Sequence, residues 1–389
     1  MGRSEKKLKV IIVAGARPNF MKIAPLIRVI EKHNGNLMAD QAEIDYVLVH
    51  TGQHYDIEMS EVFFRDLDLP RPHVNLEVGS ASHAEQTANI MIRFEKVCLE
   101  EKPDWVLVVG DVNSTMACAL VAAKLGIKIG HIEAGLRSFD RTMPEEINRI
   151  VTDALADLLF TPSQDADENL LAEGIPRDKI KRVGNIMIDS LEMSREKIES
   201  QKMYTTFGLE AGGYGIVTLH RPSNVDAPDV LKKIYGILVA IAEKVPLVFP
   251  THPRTRSKMV ECHLLSAMGN SGRLLLSEPL NYVCFMNLVF NSLFVITDSG
   301  GIQEETSYVG IPCLTIRKNT ERPITLTHGT NQLCELDQLL CKTENIIQGR
   351  VQRRKNIELW DGKTAERVVK ILLDHKTQYD KGELVTVDA

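Results

Sequence analysis

The sequence predicts an α/β protein made of two domains, each with a parallel sheet. A chain of 389 residues is longer than one hydrophobic core usually grows. Short β-branched runs alternate along it with amphipathic stretches, which is typical of crossover units around a parallel sheet. The alternation begins afresh near the middle of the chain, so we place the two domains at residues 1–186 and 187–363.

The first domain alternates strands with helices from residue 10 onward. Helices are predicted from about Phe20, across Ala84–Leu99 and from Pro144. Proline suits the first turn of a helix, and the two glutamates after it suit the positive end of the helix dipole. The predicted strands of this domain are Val10–Ala14, Tyr46–Thr51, Trp105–Gly110, Lys128–Ile132 and Leu158–Thr161.

The second domain repeats the pattern after a charged, helix-prone bridge over Glu192–Gln201. The last segment also has helical periodicity, and we expect a helix at residues 364–380 that packs back on the first domain. The predicted strands are Gly215–Leu219, Leu247–Pro250, Leu293–Thr297 and Pro312–Ile316, and the predicted helices are Val230–Lys244, Tyr282–Phe290 and Ile302–Tyr308.

Composition and charge exclude several classes of partner. The formal net charge is -6, so the chain lacks the basic excess that nucleic acid favours. No apolar run reaches the roughly 20 residues that a membrane helix needs, and the N-terminus lacks the core of a signal peptide. The 7 cysteines form no CxxC pair and no zinc-ligand spacing. We expect a cytoplasmic, soluble protein that binds neither nucleic acid nor membrane.

Polar side chains follow several predicted strands at their carboxyl ends, where open α/β sheets bind ligands. Asp111 and Glu133 do so in the first domain. His220, His252 and Asp298 do so in the second. Because both domains contribute such residues, we predict that the active site lies in the cleft between the domains.

The turn after the strand that ends at Thr297 has the pattern of an anion-binding cradle. Gly300 and Gly301 let backbone amides approach a phosphate, and the Ser299 hydroxyl adds a donor. Glu305, about one helical turn further on, is placed to accept the two hydroxyls of a ribose. A lone turn of this kind is equally consistent with an ordinary strand–helix connection capped by Ser299.

The turn after the first strand, GARPNFMK, lacks the GxGxxG pattern of a dinucleotide site, so it gives no support for NAD. It offers two cations instead, Arg17 and Lys22, which suit a diphosphate. Taken alone, this stretch favours two solvated surface cations.

Asp111, Glu133 and Glu145 suit general acid–base chemistry if they converge, because neighbouring carboxylates raise one another's pKa values. Each is also consistent with a cap or an ion pair. Arg149 lies four residues after Glu145, so a salt bridge within the helix and phosphate binding both remain open. His220, at a strand end, is better placed for function than an isolated histidine.

A series of motifs resembles the non-hydrolysing UDP-N-acetylglucosamine 2-epimerases. The series covers almost the whole chain in order, which is far more specific than any one motif. The resemblance implies a glycosyltransferase-B architecture of two Rossmann-like domains, a homodimer, and a role in cell-envelope polysaccharide synthesis. The motifs are GARPNFMK, TGQHYD, GDVNST, HIEAGLRS, PEEINR, GNIMID, TLHRPSNV and TDSGGIQEE, followed by ERP and HGTN.

The family inverts C2 of the acetamido sugar by eliminating UDP to give a glycal and then adding UDP back. The resemblance implies a UDP-sugar substrate, no cofactor and no metal. The implied catalytic residues are Asp111, Glu133, Glu145 and His220. The implied substrate-binding residues are Arg17, Lys22, Arg149, His252, Ser299, Gly300, Gly301, Glu305 and Arg322.

Two departures from the family pattern leave substrate and regulation open. Ser138–Met143 is shorter than the Ser/Pro/aromatic stretch that is common in these enzymes, and it leads into the predicted catalytic helix. Similar chains epimerise UDP-diacetamido-uronic acids. Gln53 and His252 match the region where bacterial members bind a second UDP-sugar as activator, whereas Asp56 and Val78–Ser82 do not.

Three other activities are compatible with the same fold. A hydrolysing 2-epimerase would release N-acetylmannosamine and UDP, although such enzymes look less like HIEAGLRS and PEEINR. A glycosyltransferase would need an acceptor site, which the three carboxylates do not suggest. A non-catalytic UDP-sugar-binding protein would not depend on Asp111 or Glu133.

Overall fold

A computed structural model describes residues 7–38, 41–52, 69–264, 272–351 and 354–380. The chain divides into two compact units. The first unit comprises Met1–Ser190 and Glu358–Ala389, and the second comprises Leu191–Ile357. Within the described ranges, no helix is long and apolar enough to cross a membrane.

The first unit contains a parallel sheet in the order β3-β2-β1-β4-β5-β6-β7. The order reverses between β1 and β4, and ligands of open α/β sheets bind at such a switch point. The strands are β1 (Lys7–Ala14), β2 (Glu43–His50), β3 (Val74–Asn75), β4 (Trp105–Val109), β5 (Lys128–Ile132), β6 (Leu158–Thr161) and β7 (Ile180–Arg182).

Helices connect these strands in the doubly wound manner that the sequence predicts. Every residue of β4 is buried, as expected for a strand covered on both faces. The helices are α1 (Arg17–Gly35), α2 (His83–Glu101), α3 (Asn113–Lys124), α4 (Pro144–Leu155) and α5 (Gln164–Ala172), and α6 (Ile186–Glu199) begins in this unit.

The second unit contains another parallel sheet, in the order β10-β9-β8-β11-β12-β13. Its strands are β8 (Gly215–Thr218), β9 (Leu247–Pro250), β10 (Leu274–Ser277), β11 (Phe294–Thr297), β12 (Cys313–Thr315) and β13 (Asn331–Leu333). Its helices are α7 (Pro222–Val225), α8 (Pro228–Ala242), α9 (Pro253–Glu261), α10 (Tyr282–Phe290), α11 (Gly300–Val309), α12 (Ile324–Thr327) and α13 (Leu339–Ile347). The prediction of an α/β protein with two parallel sheets is therefore confirmed.

The last helix, α14 (Thr364–Asp380), belongs to the first unit, where it packs against α1. Asp189 caps it by accepting hydrogen bonds from the amides of Thr364 at 3.0 Å and Ala365 at 2.8 Å. The Trp360 indole donates to the carbonyl of Pro162 at 2.9 Å. These bonds hold the end of the described chain on the first sheet.

Candidate active site

The turn between β1 and α1 is fixed by Asn19, which is 2% exposed. Its side-chain oxygen accepts from the amides of Gly15 at 3.1 Å and Ala16 at 2.8 Å. Its amide nitrogen donates to the carbonyl of Val109 at 3.0 Å. The turn is thereby tied to the end of β4. The side chain of Arg17, which follows, lies outside what the structure describes.

Lys22 and Glu133, predicted from separate motifs, form a buried ion pair. Lys22 comes from the second turn of α1, and Glu133 follows β5 with a left-handed φ of 68°. Gly110, with a φ of 67°, leaves room for the pair, because a β-carbon there would lie 2.9 Å from Lys22 Nζ and 3.4 Å from Glu133 Oε2. The structure therefore brings a predicted cation and a predicted catalytic carboxylate together.

A buried network supports the backbone around Glu133. His131 contacts Asp153 Oδ1 through Nδ1 at 2.6 Å and the carbonyl of Gly110 through Nε2 at 2.8 Å. Asp153 also pairs with Arg137 at 2.7 Å. Burial alone would raise the pKa of Asp153, but His131 and Arg137 together hold it below its usual range. This network links β5, α4 and the end of β4.

Asp111 and Arg149 form a second ion pair, with Arg149 Nη1 at 2.5 Å from Asp111 Oδ2. Arg149 also donates to Glu146 through Nη2 at 2.6 Å and through Nε at 3.1 Å. The salt bridge within the helix therefore joins Arg149 to Glu146 and not to Glu145, the partner considered from the spacing. Three residues along the helix place Glu146 on the buried face beside Arg149, whereas Glu145 is exposed.

In the second unit, Asp298 fixes the position of His220. Asp298 is fully buried and accepts from the amides of His220 at 3.1 Å and Arg221 at 2.9 Å. His220 Nδ1 lies 3.1 Å from Asp298 Oδ1, while the ring remains 43% exposed. Burial opposes the charge of Asp298, but the histidine and the surrounding donors lower its pKa. His220 is thus both oriented and accessible.

His252 lies near His220, with 6.1 Å between the ring centroids. It is the residue before α9, and its Nδ1 accepts from the amide of Arg254 at 3.3 Å. His252 thus has a capping role of its own in the second unit. Its assignment to substrate binding remains a prediction.

The predicted cradle is the start of α11. In the described part of the chain, the Ser299 hydroxyl makes no capping hydrogen bond, so the ordinary-cap interpretation is not supported. A β-carbon on Gly300 would lie 2.7 Å from Arg322 Nη1, whereas one on Gly301 would meet nothing within 4 Å. Arg322 therefore packs directly on the cradle. It pairs there with Glu304 at 2.9 Å and with Glu321.

Glu305, predicted to contact a ribose, is 2% exposed and accepts from the Tyr282 hydroxyl at 2.8 Å. Burial raises its pKa to about 7, and the charge of Glu304 adds to the effect. The hydrogen bond from Tyr282 opposes that shift. The carboxyl group is therefore held close to the midpoint of its titration at neutral pH.

Several residues of these two sites were not predicted from the sequence: Asn19, Glu146, His131, Asp153, Asn224 and Tyr282. Among them, Asn224 donates to Asp298 Oδ2 at 3.0 Å. Asn19, His131, Glu146 and Asn224 lie inside the motifs already quoted, so the motifs contain a signal for them. Asp153 and Tyr282 lie outside those motifs. Gln53 and Asp56, considered for an activator site, lie outside the described residues.

The comparisons with known proteins agree with the motif series. A model of a family described as UDP-N-acetylglucosamine 2-epimerase matches residues 36–373. The UDP-N-acetylglucosamine 2-epimerase of Methanocaldococcus jannaschii is 42% identical over 372 residues, or 94% of this chain and 99% of that protein. A crystal structure of that enzyme, in complex with UDP-GlcNAc and UDP, has a TM-score of 0.81 at 40% identity and covers 94% of this chain and 99% of its own.

Two other similar proteins are an epimerase with a different named substrate and a structure of low sequence identity. The UDP-2,3-diacetamido-2,3-dideoxy-D-glucuronate 2-epimerase of Pseudomonas aeruginosa is 40% identical over 330 residues, or 84% of this chain and 88% of that protein. The crystal structure of MurG from Acinetobacter baumannii is similar at a TM-score of 0.52 and 11% identity, covering 95% and 99% of the two chains, which bears on the fold alone. The predicted glycosyltransferase-B-like fold is confirmed.

Proposed function

The chain belongs to the UDP-N-acetylglucosamine 2-epimerase family, and from that premise we propose that it interconverts UDP-N-acetylglucosamine and UDP-N-acetylmannosamine. It is an isomerase, since the family is one. The observation that carries the assignment of chemistry is the pair of carboxylate–cation contacts, Glu133 with Lys22 and Asp111 with Arg149. The two carboxylates, Glu133 and Asp111, follow β5 and β4, which are neighbouring strands of the first sheet.

The proposed reaction proceeds by elimination and addition. A carboxylate removes the C2 proton while the bond between C1 and the diphosphate oxygen breaks, giving the 2-acetamidoglucal and UDP. A proton then returns to the opposite face of C2, and the diphosphate oxygen adds back to C1. The steps balance without a redox cofactor or a metal.

The C2 proton has no adjacent carbonyl to acidify it, so stabilising the leaving diphosphate is the main catalytic demand. We assign that task to Arg17, Lys22 and Arg149 of the first unit and to His220 and the amides after Ser299 of the second. We assign proton transfer to Asp111, Glu133 and Glu145. The proposal also assigns Glu305 to the ribose.

Proton NMR in deuterated water tests substrate and mechanism together. Incubation with UDP-N-acetylglucosamine should give UDP-N-acetylmannosamine with deuterium at C2. Free N-acetylmannosamine with UDP would instead identify a hydrolysing enzyme. Failure to react with this substrate, combined with turnover of a UDP-diacetamido-uronic acid, would identify the alternative substrate.

That alternative has one specific observation in its favour besides the similar Pseudomonas protein. Arg141 is exposed on the loop that leads into α4, and a cation there suits the carboxylate of a uronic acid. Replacing Arg141 with glutamine should then reduce turnover of the uronic acid at least tenfold more than turnover of UDP-N-acetylglucosamine. A tenfold change in this ratio corresponds to a free-energy difference of about 1.4 kcal/mol.

We further propose that the protein is a cytoplasmic homodimer that supplies precursors of cell-envelope polysaccharide. Ile92 and Leu99 of α2 are both 58% exposed. They lie seven residues apart and therefore on one face of the helix, which suits contact with a second copy. Light scattering should give twice the chain mass, and Ile92→Lys should shift the equilibrium toward the single chain.

A further inference from the structure

Glu146 is a buried carboxylate that no motif assignment uses, and it is 1% exposed. Its Oε2 accepts from the amide of Ser138 at 2.9 Å, and its Oε1 accepts from the amide of Phe139 at 2.8 Å. Arg149 also donates to Oε2. Burial alone would raise the pKa of Glu146, but these donors hold it below its usual value. The Glu146 carboxylate therefore accepts hydrogen bonds from two parts of the structure, the loop before α4 and Arg149.

The first of these two parts is the loop Ser138–Met143. Phe139 has a left-handed φ of 57° and a side chain that is 78% exposed. That conformation is unfavourable for a bulky residue and persists only where surrounding contacts fix it. The two amides bonded to Glu146 are those of Phe139 and the residue before it, so Glu146 supplies such contacts.

The rest of the loop is bonded within itself. Asp140 Oδ1 accepts from the amide of Thr142 at 3.0 Å and from its hydroxyl at 2.6 Å. The amide of Met143 donates to the carbonyl of Asp140 at 3.1 Å. The loop is consequently a defined structure that enters α4, and Glu146 is its anchor on that helix.

The second part is Arg149, which belongs to the proposed active site. Arg149 donates to Glu146 on one side and to Asp111 on the other, so its guanidinium is fixed between two carboxylates. Asn148 adds a hydrogen bond from its side chain to the carbonyl of Asp111 at 2.9 Å. A change at Glu146 will therefore alter how Arg149 presents its charge.

We propose that Glu146 is a positioning residue, whose single carboxylate holds both the Ser138–Met143 loop and the Arg149 guanidinium in the geometry that catalysis requires. The inference rests on the proposed function, because that proposal assigns Arg149 and Asp111 to the reaction. Glu146 itself acts through Arg149 and the loop.

A double-mutant cycle tests the action through Arg149. Glu146→Gln removes the charge at nearly constant volume and should lower kcat/KM about 10- to 100-fold, the range for losing hydrogen bonds to a charged group. Most of the loss should be in kcat. In an Arg149→Met background, the same change should cost less than it does in the wild-type background, because residues of one network are not additive. The cost that remains is the contribution of the loop. Additive losses would overturn the proposal.

A matched control separates this effect from general loss of stability. Asp167 is also a carboxylate of the first unit that accepts from an arginine, since Arg182 Nε lies 2.8 Å from its Oδ2. Asp167→Asn should lower the unfolding midpoint while leaving kcat within about twofold. Glu146→Asp keeps the charge and should recover part of the activity lost in Glu146→Gln. Equal loss in the Asp and Gln variants would count against a charge-dependent role.

Hydrogen exchange gives a second test that needs no substrate. The amides of Ser138 and Phe139 should exchange at least about tenfold faster in Glu146→Gln, because their acceptor has lost its charge. Unchanged protection would refute the positioning role. A wild-type protein that leaves UDP-N-acetylglucosamine unreacted would reject the proposed function alone, since the exchange measurement still decides the role of Glu146.

Discussion

Replacing Glu305 with glutamine should make recognition of the ribose independent of pH. The carboxyl group is buried with its pKa raised to about 7, and we propose that its ionised form accepts the two ribose hydroxyls. Protonation below that value removes one of the acceptor oxygens. The contribution of the ribose to affinity should therefore fall by up to about tenfold per pH unit as the pH decreases below 7.

The assay compares UDP with 2′,3′-dideoxyuridine diphosphate by calorimetry between pH 5.5 and pH 8.5, a range set by about 1.5 units on either side of the pKa. The two ligands share the same diphosphate, so its own protonation cancels in the ratio of their affinities. The ratio should rise with pH in the wild-type protein and stay flat in Glu305→Gln. A wild-type ratio that does not change with pH would refute the assignment of Glu305 to the ribose.

The same pKa predicts the pH dependence of stability. Because the folded-state pKa of Glu305 lies above its usual value of 4.5, the folded protein binds more protons than the unfolded chain between those two pKa values. Stability is thus lost as the pH rises from 4.5 through about 7, by at most about 3 kcal/mol. Glu305→Gln should remove this loss, which urea unfolding at pH 5 and pH 8, about 3 units apart, will show.

Three further predictions concern the two candidate sites and the C-terminal helix. Asp111→Asn should lower kcat at least about 100-fold by NMR turnover while leaving UDP affinity within about threefold, because a proton-transfer group is lost. Gly300→Ala should destabilise the protein by about 1–3 kcal/mol, because its β-carbon would collide with Arg322, whereas Gly301→Ala should have a much smaller effect on the same urea curve. Asp189→Ala removes the cap of α14 and should cost about 1 kcal/mol, with the amides of the first turn of α14 exchanging faster.

The sequence predicts the inner strands of both sheets but not their edges. The bounds of β5, β6 and β9 agree with the prediction. The strands that were missed are β3, β7, β10 and β13, which are the two edges of each sheet. β3, β7 and β13 are two or three residues long, which is too short for an apolar pattern to show, and β10 is apolar but only 4 residues long. Pairing with a neighbour defines each of them, and that pairing is tertiary information.

The site residues show a similar division. The strand-end rule located Asp111, Glu133, His220 and Asp298, because position after an apolar run is visible in the sequence. Which partner each of them takes is not visible. Lys22 pairs with Glu133 across more than a hundred positions, a contact that depends on the packing of α1 against β1 and β4 in the folded chain.

The helix α4 shows why spacing offers Glu145 as a possible partner of Arg149 and does not single out Glu146. Residues three and four apart on a helix are both neighbours, so sequence spacing alone cannot choose between these two glutamates. Apolar periodicity would turn Ile147, Ile150 and Val151 inward, yet each is only half-buried. The buried stripe is polar instead, and it consists of Glu146, Asn148, Arg149, Thr152 and Asp153. Burying such groups is unfavourable unless they are bonded to one another, as these are to Asp111, His131 and the loop before the helix. A helix that buries its polar side therefore marks a place where positioning of charged groups outweighs burial of apolar surface.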